Sequence, residues 1–195
     1  MIDINVLKSN GADIINFNSG DIIFNEGDIP EFYYQIDSGS VKLFNRDSKS
    51  RELTQAIIFN DNAICDFALL TERPYPVSAQ GLTDTTVLRL SKKTFCSLSR
   101  SEIGLSLAKQ MSEITYFKFI MGSIYLMRDP IDKLEALMDF LKAGQNNVKD
   151  FSYQIPLTRQ QLADLIGLRV ETTIRSIKQM ERDGLLKIIN HKVFY

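Results

Sequence analysis

Between residues 17 and 90 the apolar positions come in short runs separated by turn residues. FNSGDIIFNEGD (17–28) and FYYQIDSGSVKLFNRDSKSRELTQAIIF (32–59) are rich in Ile, Phe, Tyr and Val, and TTVLRL (85–90) adds a further run of the same kind. Ser19-Gly20-Asp21, Glu26-Gly27-Asp28, Ser38-Gly39-Ser40 and the polar stretch 45–51 divide them. Short strands at this spacing, bounded by glycine turns, predict a β sandwich or barrel.

After about residue 91 the period lengthens. Residues 92–98 read as a short helix, and 101–128 as one long helix with no proline until Pro130. Leu107, Met111, Ile114, Phe117, Met121 and Ile124 follow one another at spacings of 4, 3, 3, 4 and 3, a narrow apolar seam of coiled-coil type. A helix of this length next to a β domain either packs wholly on its own sheet or pairs with a second copy through the seam, and dimerisation is the expected use. Asp129 is a candidate N-cap with Pro130 at the first helical position, where its missing N–H is harmless. Leu134, Leu137, Met138 and Leu141 form the apolar face of that next helix, and Gly144 is expected to end it. The predicted class is α+β: an antiparallel β domain (1–100), a dimerisation helix (101–128) and a helical C-terminal domain (129–195) with the boundary near 128–130. No internal repeat or low-complexity segment is present.

The stretch TRQQLADLIGLRVETTIRSIKQMERDGLL (158–186) holds two helical patterns on either side of Gly167. Thr158 and Gln161 match the S/T-x-x-E/Q capping box. Leu162, Ala163, Leu165 and Ile166 make the inner face of the first helix, and Ala163 is small enough for a close helix crossing. Gly167 stands where a tight turn calls for positive φ. The second helix, about 169–183, turns Val170, Thr173, Ile177 and Met180 inward and stops at Gly184. LLKIINHKVFY then supplies two short strands with a turn at Asn190-His191, the pattern of a wing. The pattern predicts a winged helix–turn–helix. In that motif the first residues of the second helix face base edges in the DNA major groove. Arg169, Glu171, Thr172 and Arg175 hold those positions. Arginine can bond guanine bidentately and glutamate can accept from the cytosine amino group. Glu171 and Arg175, four apart, could also pair with each other, and a plain solvated face is the alternative use of such charges.

Charge supports the first use weakly. Residues 151–195 carry seven cationic and four acidic side chains, a net of +3, so with a whole-chain charge of −1 the remainder carries −4. The cysteines are two, Cys65 and Cys96, with no CxxC, which excludes a disulfide framework or a cysteine-rich metal site and fits a reducing cytoplasm. No run of 18 apolar residues suggests a membrane span, and MIDINVLKSNGADI lacks the basic-then-apolar pattern of a signal peptide. No metal-ligand spacing, G-x-S-x-G or Walker A loop is present, and pairs such as Asp61/Asp66 have no histidine beside them, so catalysis is not expected.

Taken together, FNSGDIIFNEGD…FYYQIDSGSVKLF, the long helix and IPLTRQQLADLIGLRVETTIRSIKQMERDGLL resemble the Crp/Fnr family of bacterial transcription regulators from about residue 17 onward. The resemblance implies a cyclic-nucleotide-binding-type β-roll, a dimerisation helix and a winged helix–turn–helix reading an inverted repeat in double-stranded DNA, with RNA polymerase as a further partner. It puts Glu171 and Arg175 on base-reading positions and Thr158 and Arg159 against phosphates. Val170 stands where the Crp branch has an arginine, so the helix is similar to the Fnr branch, which implies TTGA-like half-sites; Ile174 departs from that branch's serine. The nucleotide pocket departs further. In FNDNAICDFALLTERPYPVSAQG, Cys65 replaces a glycine, Asp66 a glutamate and Val77 the arginine that would meet a phosphate, while Ser78 is kept; Arg73 is the nearby substitute cation. Cyclic AMP is therefore not the expected effector. Two cysteines are too few for the family's iron–sulfur cluster, and the lone His191 lies in the wing, away from any haem position in the sensor domain. No cofactor is expected and the effector, if any, is unknown; thiol redox chemistry at Cys65 is one option. The alternative to a regulator is a ligand-binding signalling module whose helix–turn–helix does not bind DNA.

Overall fold

The computed structural model describes residues 2–49, 52–99, 103–143 and 151–195. Its chain divides into two compact units, Met1–Ile114 and Thr115–Tyr195.

The first unit opens with a one-and-a-half-turn helix, α1 (Ile4–Ser9), whose start is held by the Asp3 carboxylate accepting from the Asn5 and Val6 amides. The strands β1 (Asp13–Phe17), β2 (Ile22–Phe24), β3 (Phe32–Ser38), β4 (Ser40–Arg46) and β5 (Glu52–Phe59) precede a short helix α2 (Asp66–Thr71), followed by β6 (Ser78–Gly81) and β7 (Thr85–Ser91). They form two sheets, β1-β7-β3 and β2-β6-β4-β5, with every pairing antiparallel. This is the expected roll. Gly39 makes the β3–β4 turn at φ 100°, and a Cβ there would stand 2.6 Å from the Asp84 carbonyl oxygen and the Thr85 Oγ1, so no other residue fits. The helix α3 (Lys92–Ser99) lies on the core through Phe95, whose ring stacks on Tyr33 at 4.7 Å. Ile2, Leu7, Leu69, Leu88 and Leu90 fill the same cluster.

The long helix α4 (Gly104–Leu126) runs from the first unit into the second. Residues 101 and 102 of the expected helix lie outside the described residues, as does Gly144. The helix α5 (Pro130–Ala143) begins as expected: the Asp129 carboxylate accepts from the Ile131 amide at 2.7 Å. Leu134, Leu137 and Met138 are fully buried beneath it. α6 (Arg159–Ile166) and α7 (Val170–Arg182) follow, then the wing hairpin β8 (Lys187–Ile189) and β9 (Lys192–Phe194). Asn190 and His191 connect the two strands, both with positive φ, as a two-residue primed turn requires. Residues 153–155 flank the hairpin through Ile155 N donating to Val193 O and Tyr195 N to Tyr153 O, both at 2.9 Å.

Two elements were not expected. α1 and α2 have six residues each, and α2 sits inside a stretch whose composition reads as β.

Candidate nucleic-acid interface

The helix–turn–helix is assembled from local rules that the sequence states. Thr158 Oγ1 accepts from the Gln161 amide at 3.2 Å, and Gln161 Oε1 accepts from the Thr158 amide at 2.8 Å, so the capping box is complete. Leu162, Ala163, Leu165 and Ile166 are buried, and Gly167 turns the chain at φ 69°. Both Gly167 and Leu168 direct their amides at Ala163 O. α7 then buries Thr173, Ser176, Ile177 and Met180, while Val170 is half-buried.

The opposite face of α7 is the candidate reading surface. Glu171, Ile174, Arg175, Lys178 and Arg182 line one open groove. Arg169 precedes them as the N-cap residue, in extended conformation and without a capping hydrogen bond. The side chains of Arg169, Glu171, Arg175 and Lys178 have no hydrogen-bond or ion-pair partner among the described residues. The Glu171–Arg175 pair that their spacing suggested is not formed; both groups point outward with their bonding capacity unspent. Thr172 is half-buried at the margin of this face. Thr158 is exposed, and its hydroxyl oxygen accepts the cap hydrogen bond from the Gln161 amide. Arg159 Nη1 donates to the His191 carbonyl at 2.6 Å, tying the first turn of α6 to the wing tip. Lys178 and Arg182 were not singled out from sequence, although 171, 175, 178 and 182 continue the same stripe at spacings of 4, 3 and 4.

The six residues of the expected seam do not share one environment. Leu107 is 2% exposed and belongs to the core cluster of the β-roll unit. Met121 and Ile124 are also buried in the chain itself, and Met111, Ile114 and Phe117 are half-buried, with the Phe117 ring 5.4 Å from Phe140 of α5. What α4 leaves uncovered is a second stripe. Leu105, Phe119 and Leu126 are 82%, 76% and 85% exposed, with small exposed residues Ala108, Ser112 and Gly122 between them. Their spacings are 3, 4, 7, 3 and 4, again a heptad pattern, and none is charged.

In the β-roll, the four residues of the expected effector pocket lie on α2 and β6 or beside them. Cys65 is buried and left-handed, at φ 53°, a conformation more natural to the glycine it replaces. Val77 is buried and Ser78 half-buried, and Ser78 Oγ accepts from the Glu26 amide at 2.9 Å. Asn45 Nδ2 donates to Glu26 Oε2 at 2.9 Å and to Pro76 O at 2.7 Å, while Phe24 stacks on Tyr75 at 3.7 Å. Segment 75–78 is thus stitched to the 24–28 turn by the chain's own groups. Arg73 is exposed. Asp66 is fully buried; one carboxylate oxygen accepts from the Phe67 amide and the other has no partner among the described residues. Burial pushes this carboxyl above its ordinary range. Since the folded value is raised, its contribution to stability is present at acid pH and lost as pH rises through that value. Asp66→Asn should therefore raise thermal stability at neutral pH, by about 1–3 kcal/mol, and flatten the acid side of the stability profile. Melting curves across a pH series check this, and an unchanged profile would place the oxygen in contact with solvent.

The helix–turn–helix and the β-roll each have known counterparts. Residues 14–102 match the family model for the cyclic nucleotide-binding domain, and residues 134–194 that for the Crp-like helix-turn-helix domain. The nitrogen fixation regulation protein FixK of Rhizobium meliloti (strain 1021) is 21% identical over 175 residues, which span 90% of this chain and 78% of that protein. The cyclic AMP receptor protein of Thermus thermophilus is 25% identical over 178 residues, 88% of this chain and 78% of that one. Among solved structures, a CooA mutant from Carboxydothermus hydrogenoformans superposes with a TM-score of 0.82 at 15% identity, over 97% of this chain and 85% of that one. FixK2 from Bradyrhizobium japonicum superposes at 0.77 and 15% identity, over 94% and 91%. With both domain models matched in this order and the outer face of α7 open to solvent, the chain belongs to the Crp/Fnr family of DNA-binding transcription regulators.

Proposed function

We propose that this regulator works as a homodimer on inverted-repeat DNA. Each protomer lays α7 in a major groove, and the two half-sites lie about one helical turn, or ~34 Å, apart. The observation that carries the reading is the outer face of α7, where Glu171 and Arg175 stand beside Lys178 with no partner among the described residues. Glu171 accepts from a cytosine amino group and Arg175 bonds guanine, while Lys178 and Arg169 meet phosphates. TTGA-like half-sites are the first sequence to try. Arg159 acts through the wing, since its guanidinium holds the His191 carbonyl.

The two copies meet along the uncovered stripe of α4, Leu105 to Leu126, rather than along the Leu107–Ile124 seam. A contiguous uncharged face on a long helix calls for a partner surface. The β-roll does not use cyclic AMP: Val77 is a buried apolar residue where the phosphate partner would be needed, and Ser78 is already engaged. No cofactor or catalytic step is assigned. Regulation in the cytoplasm, at promoters shared with RNA polymerase, completes the reading, and among the described residues no helix is long and apolar enough to cross a membrane.

Selection of DNA fragments by the purified protein at physiological salt, with no ligand added, is the direct test. The expected result is an enriched inverted repeat whose affinity falls steeply with log salt. A folded dimer that enriches no sequence would sink the ligand-independent form of this reading.

A further inference from the structure

The C-terminal end of α6 is not closed by its own turn. A helix leaves its last carbonyls without helical partners. Here the Gly167 and Leu168 amides both turn back to Ala163 O, which leaves Leu165 O and Ile166 O to be met from elsewhere. They are met by side chains of two other helices. The Tyr125 hydroxyl, in the last turn of α4, donates to Leu165 O at 2.8 Å. Lys133 Nζ, on α5, donates to Ile166 O at 3.4 Å and lies 6.0 Å from the centre of the Tyr125 ring. The ring edge also closes on the turn itself, since a Cβ at Gly167 would stand 4.0 Å from Tyr125 Cε1. Burial holds the Tyr125 phenol above its ordinary pKa, in keeping with a proton fixed in a hydrogen bond.

The next residue along α4 is Leu126, 85% exposed and the last member of the uncovered stripe. Successive residues on a helix diverge by about 100°. One turn of α4 therefore presents Leu126 to solvent while Tyr125 grips the turn of the helix–turn–helix. From Leu165 the chain reaches the N-cap of α7 at Arg169 within four residues, through a glycine whose φ is fixed. The Tyr125 hydroxyl and ring thus link the last turn of α4 to the turn that leads into the reading helix.

We propose that Tyr125 is a positioning residue for DNA recognition: it registers the helix–turn–helix against the end of α4, so that the pairing of two copies fixes the separation of their reading helices. The inference rests on the homodimer proposed above. It assigns to Tyr125 no contact with DNA. Its loss should leave the affinity for one half-site alone and act on the spacing between two.

The test is a DNA library in which two copies of the selected half-site are separated by spacers differing by single base pairs, bound by the full chain and by Tyr125→Phe. The phenylalanine keeps the ring and its packing, and melting curves with sedimentation confirm that fold and association state are retained. Wild type should favour one spacing by about tenfold over its neighbours. Tyr125→Phe should lose most of that preference, to within about threefold, while binding to a single half-site is unchanged. Lys133→Met, which removes the second grip, should move the profile in the same direction. If Tyr125→Phe keeps the wild-type spacing profile, the positioning role is overturned while the dimeric reading stands. If wild type itself shows no spacing preference on a sequence it binds, the dimeric reading falls, and this role with it.

Discussion

Arg175→Ala and Glu171→Ala should each weaken binding to the selected DNA site by about 1–3 kcal/mol, or about 5- to 150-fold, without loss of fold. The size follows from what each side chain does in the free protein. Neither has a partner among the described residues, so removing it breaks no contact there and exposes no buried group. On DNA, both would sit against base edges, where an unmet donor or acceptor on the base bears the full cost of lost hydration. The two should also differ in which base pair they relax. Replacing Arg175 loosens the choice at a guanine and replacing Glu171 at a cytosine, so selection repeated with each variant returns a degenerate position rather than a new site. Lys178→Ala gives the contrast. A phosphate contact weakens binding evenly across sequences and lowers the slope of log affinity against log salt by about one. Equal affinity of wild type and both α7 variants for the selected site, by titration at fixed salt, would remove α7 as the reading element.

The parts of this molecule that were legible in the sequence are those fixed by short-range rules. A capping box is written in four residues, and Thr158–Gln161 forms it atom for atom. A turn needing positive φ is written as Gly167. The β-roll was legible because short apolar runs and glycine turns repeat over the whole stretch. Its helices α1 and α2 were not, since six residues hold too little of a 3.6-residue period to stand out. Tertiary choices were legible only in part. Arg159 reads as a cation near a DNA-binding helix, but its partner is a backbone carbonyl 32 residues away. Glu171 and Arg175 have the spacing of an ion pair, yet nothing in that spacing says whether the pair closes. The α4 seam shows the limit most clearly. Spacing identifies an apolar stripe but not which neighbour covers it. α4 is apolar on several sides, so the Leu107–Ile124 stripe and the Leu105–Leu126 stripe both satisfy a heptad. Only the burial of Leu107, Met121 and Ile124 within the chain separates the two.

That separation sets the second large effect. Phe119→Glu should convert the dimer to a monomer that remains folded. Phe119 is 76% exposed in the single chain, so a glutamate there meets water when alone and a second carboxylate across a seam when paired. Like charges forced together in a desolvated interface cost several kcal/mol, enough to move the dissociation constant by about a thousandfold or more. Leu126→Glu should act in the same way at the end of the stripe. Ile124, one full turn and more from Phe119 and completely buried, gives the opposite signature: Ile124→Ala should lower unfolding stability by about 2–5 kcal/mol through the cavity it leaves, with no direct effect on association. Met111 and Ile114 are half-buried and lie off the centre of the exposed stripe, so Met111→Glu or Ile114→Glu should lower stability while leaving association to the stripe. Sedimentation with melting curves reads the two axes independently. The DNA consequence follows from association alone: a monomer loses the second half-site and with it about 10²- to 10⁴-fold in avidity, while its contacts to one half-site are intact. A Phe119→Glu protein that sediments as a dimer would relocate the interface away from the uncovered face of α4. A Met111→Glu monomer in the same series would return it to the side of the helix where Leu107 lies.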